Sequence, residues 1–134
     1  MGTIRSLSKK KVFVVDDSLV YTEILRHELN VLKNIHVTTF SSAEECLSNL
    51  GENPNLIILD FYLDGENPNN MSGHDALNAL QKIEDCPEVL FVSSEKNEGL
   101  LEEYKNFRNV DFLLKTSRGT EQIVQKVKEK LNVE

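Results

Sequence analysis

The sequence predicts an α/β domain in which parallel strands alternate with amphipathic helices, and two features of the chain carry this prediction. Short runs of mostly apolar residues recur five times and lack strict polar alternation, which is typical of strands buried on both faces of a sheet. Stretches with apolar residues at helical spacing separate these runs. Five successive strand–helix units indicate a parallel sheet with right-handed crossovers and helices on both of its faces.

The apolar runs define the predicted strands, which cover residues 12–15, 37–40, 56–59, 89–92 and 110–114. The helical patterns cover residues 19–32, 41–50, 76–83, 97–107 and 120–131. Ser41 and Glu44 have the spacing of a capping box, so the second helix is expected to begin there. Each predicted strand is thus followed by one predicted helix.

Length and composition favour a single globular domain. The chain has 134 residues, of which 40% are hydrophobic and 28% are charged, and these values exclude wholesale disorder. We therefore expect one domain over residues 1–134, with a folded core at about residues 10–132.

The charge balance argues against nucleic acid or an anionic membrane as a partner. There are 15 basic and 22 acidic residues, giving a net charge of −7, whereas both of these partners require clustered Lys and Arg. No apolar run approaches the ~20 residues of a membrane span, and no signal-peptide pattern is visible. Cys46 and Cys86 are too few for a disulfide framework. The expected location is the reducing cytoplasm.

The residues that end the predicted strands are the candidates for chemistry, because open parallel sheets collect functional groups beyond the carboxyl ends of their strands. Asp16 and Asp17 follow the first strand, and Asp60 follows the third. The fourth strand leads to Ser93 and the fifth to Lys115. Three carboxylates brought together repel one another, and a hard divalent cation such as Mg²⁺ is the usual remedy. We therefore expect a magnesium site at this edge of the sheet.

A simpler interpretation applies to each acid taken alone. Asp17 or Ser18 has the residue type expected of an N-cap for the first helix. The functional interpretation is favoured because three acids, a hydroxyl and a lysine are all predicted at the same strand ends.

Four segments resemble the receiver domain of response regulators, the phospho-accepting module of two-component phosphorelays. They are VFVVDDS at 12–18, LIILD at 56–60, VSSE at 92–95 and FLLK at 112–115. The resemblance extends from about Lys11 to Leu131 and depends on the order and spacing of these motifs together. It implies a flavodoxin-like (βα)5 fold whose five parallel strands have the order 2-1-3-4-5.

The resemblance also implies a role for each residue at the strand ends. Asp60 is implied as the phospho-acceptor, which takes its phosphoryl group from a phosphohistidine or a small phosphodonor. Asp17, Asp60 and the backbone oxygen of Tyr62 would ligate Mg²⁺, while Asp16 would orient a metal-bound water. Lys115 would pair with a phosphoryl oxygen. Such groups supply the charge neutralisation and in-line positioning that phosphoryl transfer needs.

A switch between two states is implied as well. The Ser93 hydroxyl would move toward the phosphoryl group and donate to it, and Phe112 would rotate into the space left behind. The face formed by the fourth helix, the fifth strand and the fifth helix would then bind a downstream partner. Phe112 as a plain core residue explains the sequence equally well, because phenylalanine is mostly buried in any fold.

The resemblance implies protein partners rather than turnover of an external substrate. A sensor histidine kinase or a histidine phosphotransfer protein would supply the phosphoryl group. A downstream protein target or a phosphorylation-dependent homodimer would carry the signal onward. The chain is therefore expected not to be an enzyme beyond self-phosphorylation and autodephosphorylation.

Two departures from the receiver pattern lie beside the implied site. Thr116 follows the lysine where receivers usually have proline, which affects the geometry of that loop. Gly73 stands thirteen residues after Asp60, whereas receivers have a glycine eight residues on, and this implies an insertion of about five residues within 64–70. We expect the insertion to be neutral, because surface loops tolerate added length at low cost.

Two alternative functions share parts of this pattern. A degenerate receiver would act only as a binding module, but such a domain typically lacks a phosphorylation residue, and all of them are present here. A magnesium-dependent phosphatase of the haloacid-dehalogenase type also uses an aspartyl nucleophile in an α/β fold. That class has Asp-x-Asp after the first strand, whereas Asp16 and Asp17 are adjacent. The phospho-accepting receiver is therefore favoured.

Overall fold

The structure is a computed structural model that describes residues 9–63, 70–93, 102–115 and 120–133. Every strand of the predicted sheet lies within these ranges. Most of the implied insertion, the first part of the predicted fourth helix and Thr116 lie outside the described residues. Within the described part of the chain, no helix is long and apolar enough to cross a membrane.

The sheet has the predicted architecture. Its strands are β1 (Lys10–Val15), β2 (Ile35–Phe40), β3 (Leu56–Asp60), β4 (Glu88–Ser93) and β5 (Val110–Leu114). All neighbouring strands are parallel and their order is β2-β1-β3-β4-β5, which confirms the fold class. β1 and β2 begin earlier than predicted because Lys10 pairs with Ile35 and Lys11 with His36, so that polar residues extend both strands.

Helices lie on both faces of this sheet. They are α1 (Leu19–Leu29), α2 (Ala43–Ser48), α3 (Gly73–Gln81) and a C-terminal helix (Glu121–Leu131), with a short 3-10 helix at Leu50–Glu52. Residues 102–104 are also helical and fall within the predicted fourth helix.

The first helix ends earlier than predicted, at Leu29 rather than at residue 32. The backbone N–H groups of Val31 and Leu32 donate to carbonyls three residues back, which closes a tighter turn than an α-helix allows. Asn34 then takes the left-handed conformation, with φ of 63°, before β2 begins. Leu32 lies in this turn and is still buried, so the apolar spacing in the sequence continues beyond the end of the helix.

The capping residues also differ from the prediction. Ser42 rather than Ser41 caps α2, because the Ser42 Oγ accepts the Glu45 N–H at 3.2 Å. Ser41 instead donates its hydroxyl to the Glu45 carboxylate at 2.9 Å. α3 begins with a capping box that the sequence analysis did not predict, formed by Ser72 and Asp75.

The core consists of two clusters, one on each face of the sheet. One cluster packs α2 and α3 against residues that include Phe13 and Leu59. The other packs α1 and the C-terminal helix against residues that include Val14 and Ile58. Successive side chains of β1 and β3 thus alternate between two buried clusters, which explains why these strands are apolar without alternation.

α3 begins in close contact with the end of β3. The Gly73 N–H donates to the Phe61 carbonyl at 3.1 Å. A Cβ atom on Gly73 would lie 2.2 Å from the Asp60 carbonyl oxygen and 2.7 Å from that of Phe61. Both neighbours are backbone atoms, so a side chain at this position requires the end of β3 to move. Gly73 therefore sets how closely α3 approaches the strand that carries Asp60.

We predict that Gly73→Ala destabilises the fold by about 2–4 kcal/mol, because the backbone after β3 must shift to admit the methyl group. Gly51→Ala is the matched control, since a Cβ atom there would meet nothing within 4 Å. Its expected effect is within about 0.5 kcal/mol. Urea unfolding measures both variants. Equal unfolding midpoints for the two variants would contradict the close packing of α3 on β3.

Candidate functional site

Three carboxylates meet at the carboxyl end of the sheet. Asp16 and Asp17 follow β1, Asp60 is the last residue of β3, and oxygens of all three side chains lie within 4.8 Å of one another. Asp16 and Asp60 are buried, with 3% and 6% of their surface exposed, whereas Asp17 is exposed. Because β1 and β3 are neighbours in the sheet, their ends lie side by side. The predicted acid cluster therefore forms, and one of its members is open to solvent.

Lys115 places an ammonium group against this cluster. Its backbone N–H donates to the Ser93 carbonyl at 2.7 Å, which fixes the residue beside the end of β4. Its Nζ lies 2.8 Å from Asp16 Oδ2 and 3.6 Å from Asp60 Oδ1. The same Nζ lies 4.2 Å from the centroid of the Tyr21 ring, a cation–π contact. The Lys115 ammonium thus forms ion pairs with two buried carboxylates, those of Asp16 and Asp60.

The site carries more negative than positive charge. Burial of Asp60, together with the charges of Asp16 and Asp17, raises the pKa of Asp60 to about 7. Lys115 and the hydrogen bond from the Tyr62 backbone lower this pKa but do not offset the rise. With these groups alone, Asp60 is partly protonated near neutral pH.

The donor set fits a hard divalent cation. Mg²⁺ prefers oxygen ligands and usually keeps several waters beside one or two carboxylates. The acid cluster offers only oxygen donors, and the exposed Asp17 leaves room for water on one side. Burial is the main cause of the raised pKa of Asp60, and a divalent charge would offset the repulsion from Asp16 and Asp17 that adds to it. The Tyr62 carbonyl as a further ligand stays a prediction.

Ser18 rather than Asp17 caps α1. The Ser18 Oγ accepts the Tyr21 N–H at 3.2 Å, and the Ser18 N–H donates to Asp16 Oδ1 at 2.9 Å. The Asp16 N–H donates to the Phe40 carbonyl at the end of β2, at 3.1 Å. Because Ser18 caps the first turn, the Asp17 carboxylate remains available to the acid cluster.

Ser93 and Phe112, the two predicted switch residues, lie on neighbouring strands. Ser93 ends β4, beside the strand end that carries Asp60. Phe112 is half-buried, with its ring centroid 5.9 Å from that of Phe91 and 5.6 Å from that of Tyr104. Phe112 therefore belongs to an aromatic cluster that borders the site, and its movement stays a prediction.

The structure shows a contact between α3 and residues 102–104 that the sequence does not predict. The His74 Nδ1 and the Tyr104 hydroxyl are hydrogen-bonded, and His74 Nε2 lies 3.0 Å from the Asn78 Nδ2. Tyr104 is buried, and its ring stacks on that of Phe112. His74 follows Gly73 directly, so this contact joins the aromatic cluster to the start of α3. Residues so far apart in the chain have no fixed spacing that would predict their pairing.

The family model of the response regulator receiver domain matches residues 12–128 of this chain. The probable transcriptional regulator ycf27 of Cyanophora paradoxa is 30% identical over 88 residues. That match covers 65% of this chain and 34% of the relative, so it spans about a third of the length of that protein.

Solved structures show the same fold. The response regulator domain of Thermotoga maritima CheB has a TM-score of 0.71 at 25% identity, covering 92% of this chain and 94% of that chain. A CheY-like response regulator receiver domain protein from Methanospirillum hungatei JF-1 has a TM-score of 0.75 at 22% identity, covering 93% of this chain and 95% of that chain.

The sequence match and the fold agree. The matched region runs from within β1 into the C-terminal helix, and it includes most of β1 and all of the other four strands. The strand order found in the structure is the one that the sequence resemblance implies. The chain therefore belongs to the response regulator receiver domain family, whose members act in two-component signalling.

Proposed function

We propose that Asp60 accepts a phosphoryl group from a phosphohistidine in a magnesium-dependent transfer. The position of Asp60 carries this proposal: it is a buried carboxylate at the end of the central strand, close to two other acids and 3.6 Å from the Lys115 Nζ. Phosphoryl transfer requires a protein mainly to neutralise charge and to position the reacting atoms. The groups around Asp60 are suited to both tasks.

The transfer forms one bond and breaks another. A carboxylate oxygen of Asp60 attacks phosphorus while the phosphorus–nitrogen bond of the donor breaks, and the bonding electron pair stays on the imidazole nitrogen. The product is an acyl phosphate on Asp60. Asp17 is the exposed member of the cluster, so the donor is expected to approach from its side.

The acid cluster would hold the metal that this transfer needs. Asp17, Asp60 and the Tyr62 carbonyl are the proposed ligands, with Asp16 orienting a bound water. Bound Mg²⁺ would draw negative charge from the phosphoryl oxygens and from the attacking carboxylate. Receiver domains typically bind Mg²⁺ at an acidic pocket, and the cluster of three carboxylates supports the same assignment here.

Lys115 and Ser93 would bind the transferred phosphoryl group. The Lys115 Nζ is already 3.6 Å from Asp60 Oδ1, so a phosphoryl group on Asp60 would meet it without a large movement. The acyl phosphate carries more negative charge than the carboxylate it replaces, which strengthens this attraction. The Ser93 hydroxyl, at the end of the neighbouring strand, would donate to another phosphoryl oxygen.

Phosphorylation would then change the face formed by residues 102–104, β5 and the C-terminal helix. β5 is an edge strand whose residues are half-buried or exposed, which supports this face as the partner-binding one. The family resemblance implies that Phe112 enters the space that Ser93 leaves, and Phe112 stacks on Tyr104. A displacement of Phe112 would therefore also displace Tyr104 and the helical residues 102–104.

The proposed partners are proteins. Receiver domains interact with histidine kinases or phosphotransfer proteins and with downstream effectors. For this chain we infer a cytoplasmic signalling role, in which a kinase or phosphotransfer protein is the donor and a downstream protein or a second copy of the chain receives the signal. The role is that of a phospho-accepting domain and not of an enzyme with an external substrate.

The assignment of Asp60 predicts a single, magnesium-dependent phosphoryl adduct. Intact-mass spectrometry after incubation with acetyl phosphate should show one added phosphoryl group with Mg²⁺ and none with EDTA. Asp60→Asn should abolish the adduct, because the amide is not a competent nucleophile. Asp85→Asn changes an exposed acid in the segment that leads into β4 and should leave the adduct unchanged.

Labelling that persists in Asp60→Asn and maps to another native residue would contradict the assignment. A wild-type chain that takes up no phosphoryl group from acetyl phosphate or from a phosphohistidine donor would favour the degenerate receiver, which acts by binding alone.

The proposed switch predicts chemical-shift changes beyond the acid cluster. Beryllofluoride, an acyl-phosphate mimic, should with Mg²⁺ change NMR shifts at Ser93, Phe112 and residues 102–106, because Phe112 contacts Phe91 in the strand that ends at Ser93 and stacks on Tyr104. Asp60→Asn, which removes the attachment point, should show none of these changes. Shift changes confined to Asp16, Asp17 and Asp60 would contradict the switch while leaving phosphorylation intact.

A further inference from the structure

We infer that Tyr21 is a positioning residue for Lys115, and that the face of its ring holds the ammonium group where the phosphoryl group will arrive. This inference rests on the proposed role of Lys115 in binding that group. Tyr21 lies in the first turn of α1 and is half-buried. Its ring centroid lies 4.2 Å from the Lys115 Nζ. Its spacing from the acids in the sequence does not indicate this contact.

The contact belongs to a closed set of four interactions that begins and ends at Asp16. Asp16 Oδ1 accepts the Ser18 N–H, and the Ser18 Oγ accepts the Tyr21 N–H. The Tyr21 ring contacts the Lys115 Nζ, which donates to Asp16 Oδ2 at 2.8 Å. Each member is therefore held from two sides. The cap of α1 thus fixes the backbone of Tyr21, and the ring extends from that backbone to the ammonium.

A ring face suits this task better than another charged group would. A lysine side chain has a flexible four-carbon stem, and its ammonium is strongly hydrated when it is free. The Lys115 side chain is 21% exposed, so without a further contact its ammonium would be partly hydrated and free to move. An aromatic face attracts the cation without accepting a hydrogen bond from it. The ammonium therefore keeps its N–H groups for Asp16 at rest and for phosphoryl oxygens after transfer.

The hydroxyl of Tyr21 contributes little to this arrangement. It is buried and has no hydrogen-bond partner within the described part of the chain. Burial, together with the negative charges of Asp16, Asp60 and Glu28, raises the pKa of this hydroxyl far above its ordinary value, so it stays protonated. The attraction to Lys115 is thus that of a neutral ring, and phenylalanine should replace tyrosine without loss.

The test compares Tyr21→Phe, which keeps the ring, with Tyr21→Leu, which keeps an apolar side chain and removes it. With acetyl phosphate and saturating Mg²⁺, Tyr21→Phe should be phosphorylated at the wild-type rate. Tyr21→Leu should be slower by roughly 2- to 30-fold, the range that a cation–π contact spans. Val124→Ala removes packing from the same core cluster without removing an aromatic ring or a charge, and it should leave the rate unchanged.

A second measurement separates positioning from packing. In wild type and Tyr21→Phe, the ring current should shift the resonances of the Lys115 methylene next to the ammonium upfield, and Tyr21→Leu should lose that shift. In a Lys115→Ala background, the rate difference between Tyr21→Phe and Tyr21→Leu should disappear.

Equal phosphorylation rates for the two Tyr21 variants, or an unchanged difference between them without Lys115, would overturn the inference. A Lys115 methylene that has the same shift in Tyr21→Leu as in wild type would overturn it as well. Failure of the wild-type chain to be phosphorylated would instead count against the proposed function of Asp60. In that case the methylene shift still decides whether Tyr21 holds Lys115.

Discussion

Parallel strands end at the same edge of a sheet, and the chemistry of this molecule depends on that constraint. β1 and β3 are neighbours, so the acids that follow or end them, Asp16, Asp17 and Asp60, are brought within a few ångströms of one another. Two of them are buried, where charges of the same sign repel more strongly than in water. Lys115 offsets part of this charge, and the remainder is what a divalent cation would neutralise.

Asp16 connects this charge cluster to the fold, because its two carboxylate oxygens have different partners. Oδ1 accepts the N–H of Ser18, which caps α1, and Oδ2 binds the Lys115 Nζ. At rest the ammonium is closer to Asp16 than to Asp60, at 2.8 Å against 3.6 Å. Phosphoryl addition at Asp60 would reverse that preference. Because the Lys115 backbone N–H is hydrogen-bonded to the Ser93 carbonyl, a movement of Lys115 from Asp16 toward Asp60 would also affect the end of β4.

The parts of the structure that follow from periodicity are predictable from the sequence, and those that follow from pairing across space are not. The apolar run of β3 identifies a strand covered on both faces, and the acid at its end is predicted to face the acids after β1. Strand order depends on the family resemblance, because alternation alone does not order strands. Contacts such as Tyr21 with Lys115 and His74 with Tyr104 join residues with no fixed spacing. Ser41 and Ser42 have the same side chain, so their residue type does not show which of them caps α2. The backbone conformation decides that the cap is Ser42.

The central claim is that burial and the neighbouring acids oppose the ionisation of Asp60 and that a bound cation would favour it, and proton release on Mg²⁺ binding tests this most directly. Burial and the neighbouring acids raise the pKa of Asp60 to about 7, so this carboxyl is partly protonated near neutral pH, and as a proposed metal ligand it would have to ionise. Calorimetry in two buffers of different ionisation enthalpy should therefore show release of a measurable fraction of a proton per Mg²⁺ at pH ~7 and almost none at pH ~9. Mg²⁺ binding without proton release at neutral pH would show that Asp60 is already fully ionised. That result would contradict the account in which burial and neighbouring acids oppose the ionisation of Asp60 until a cation binds.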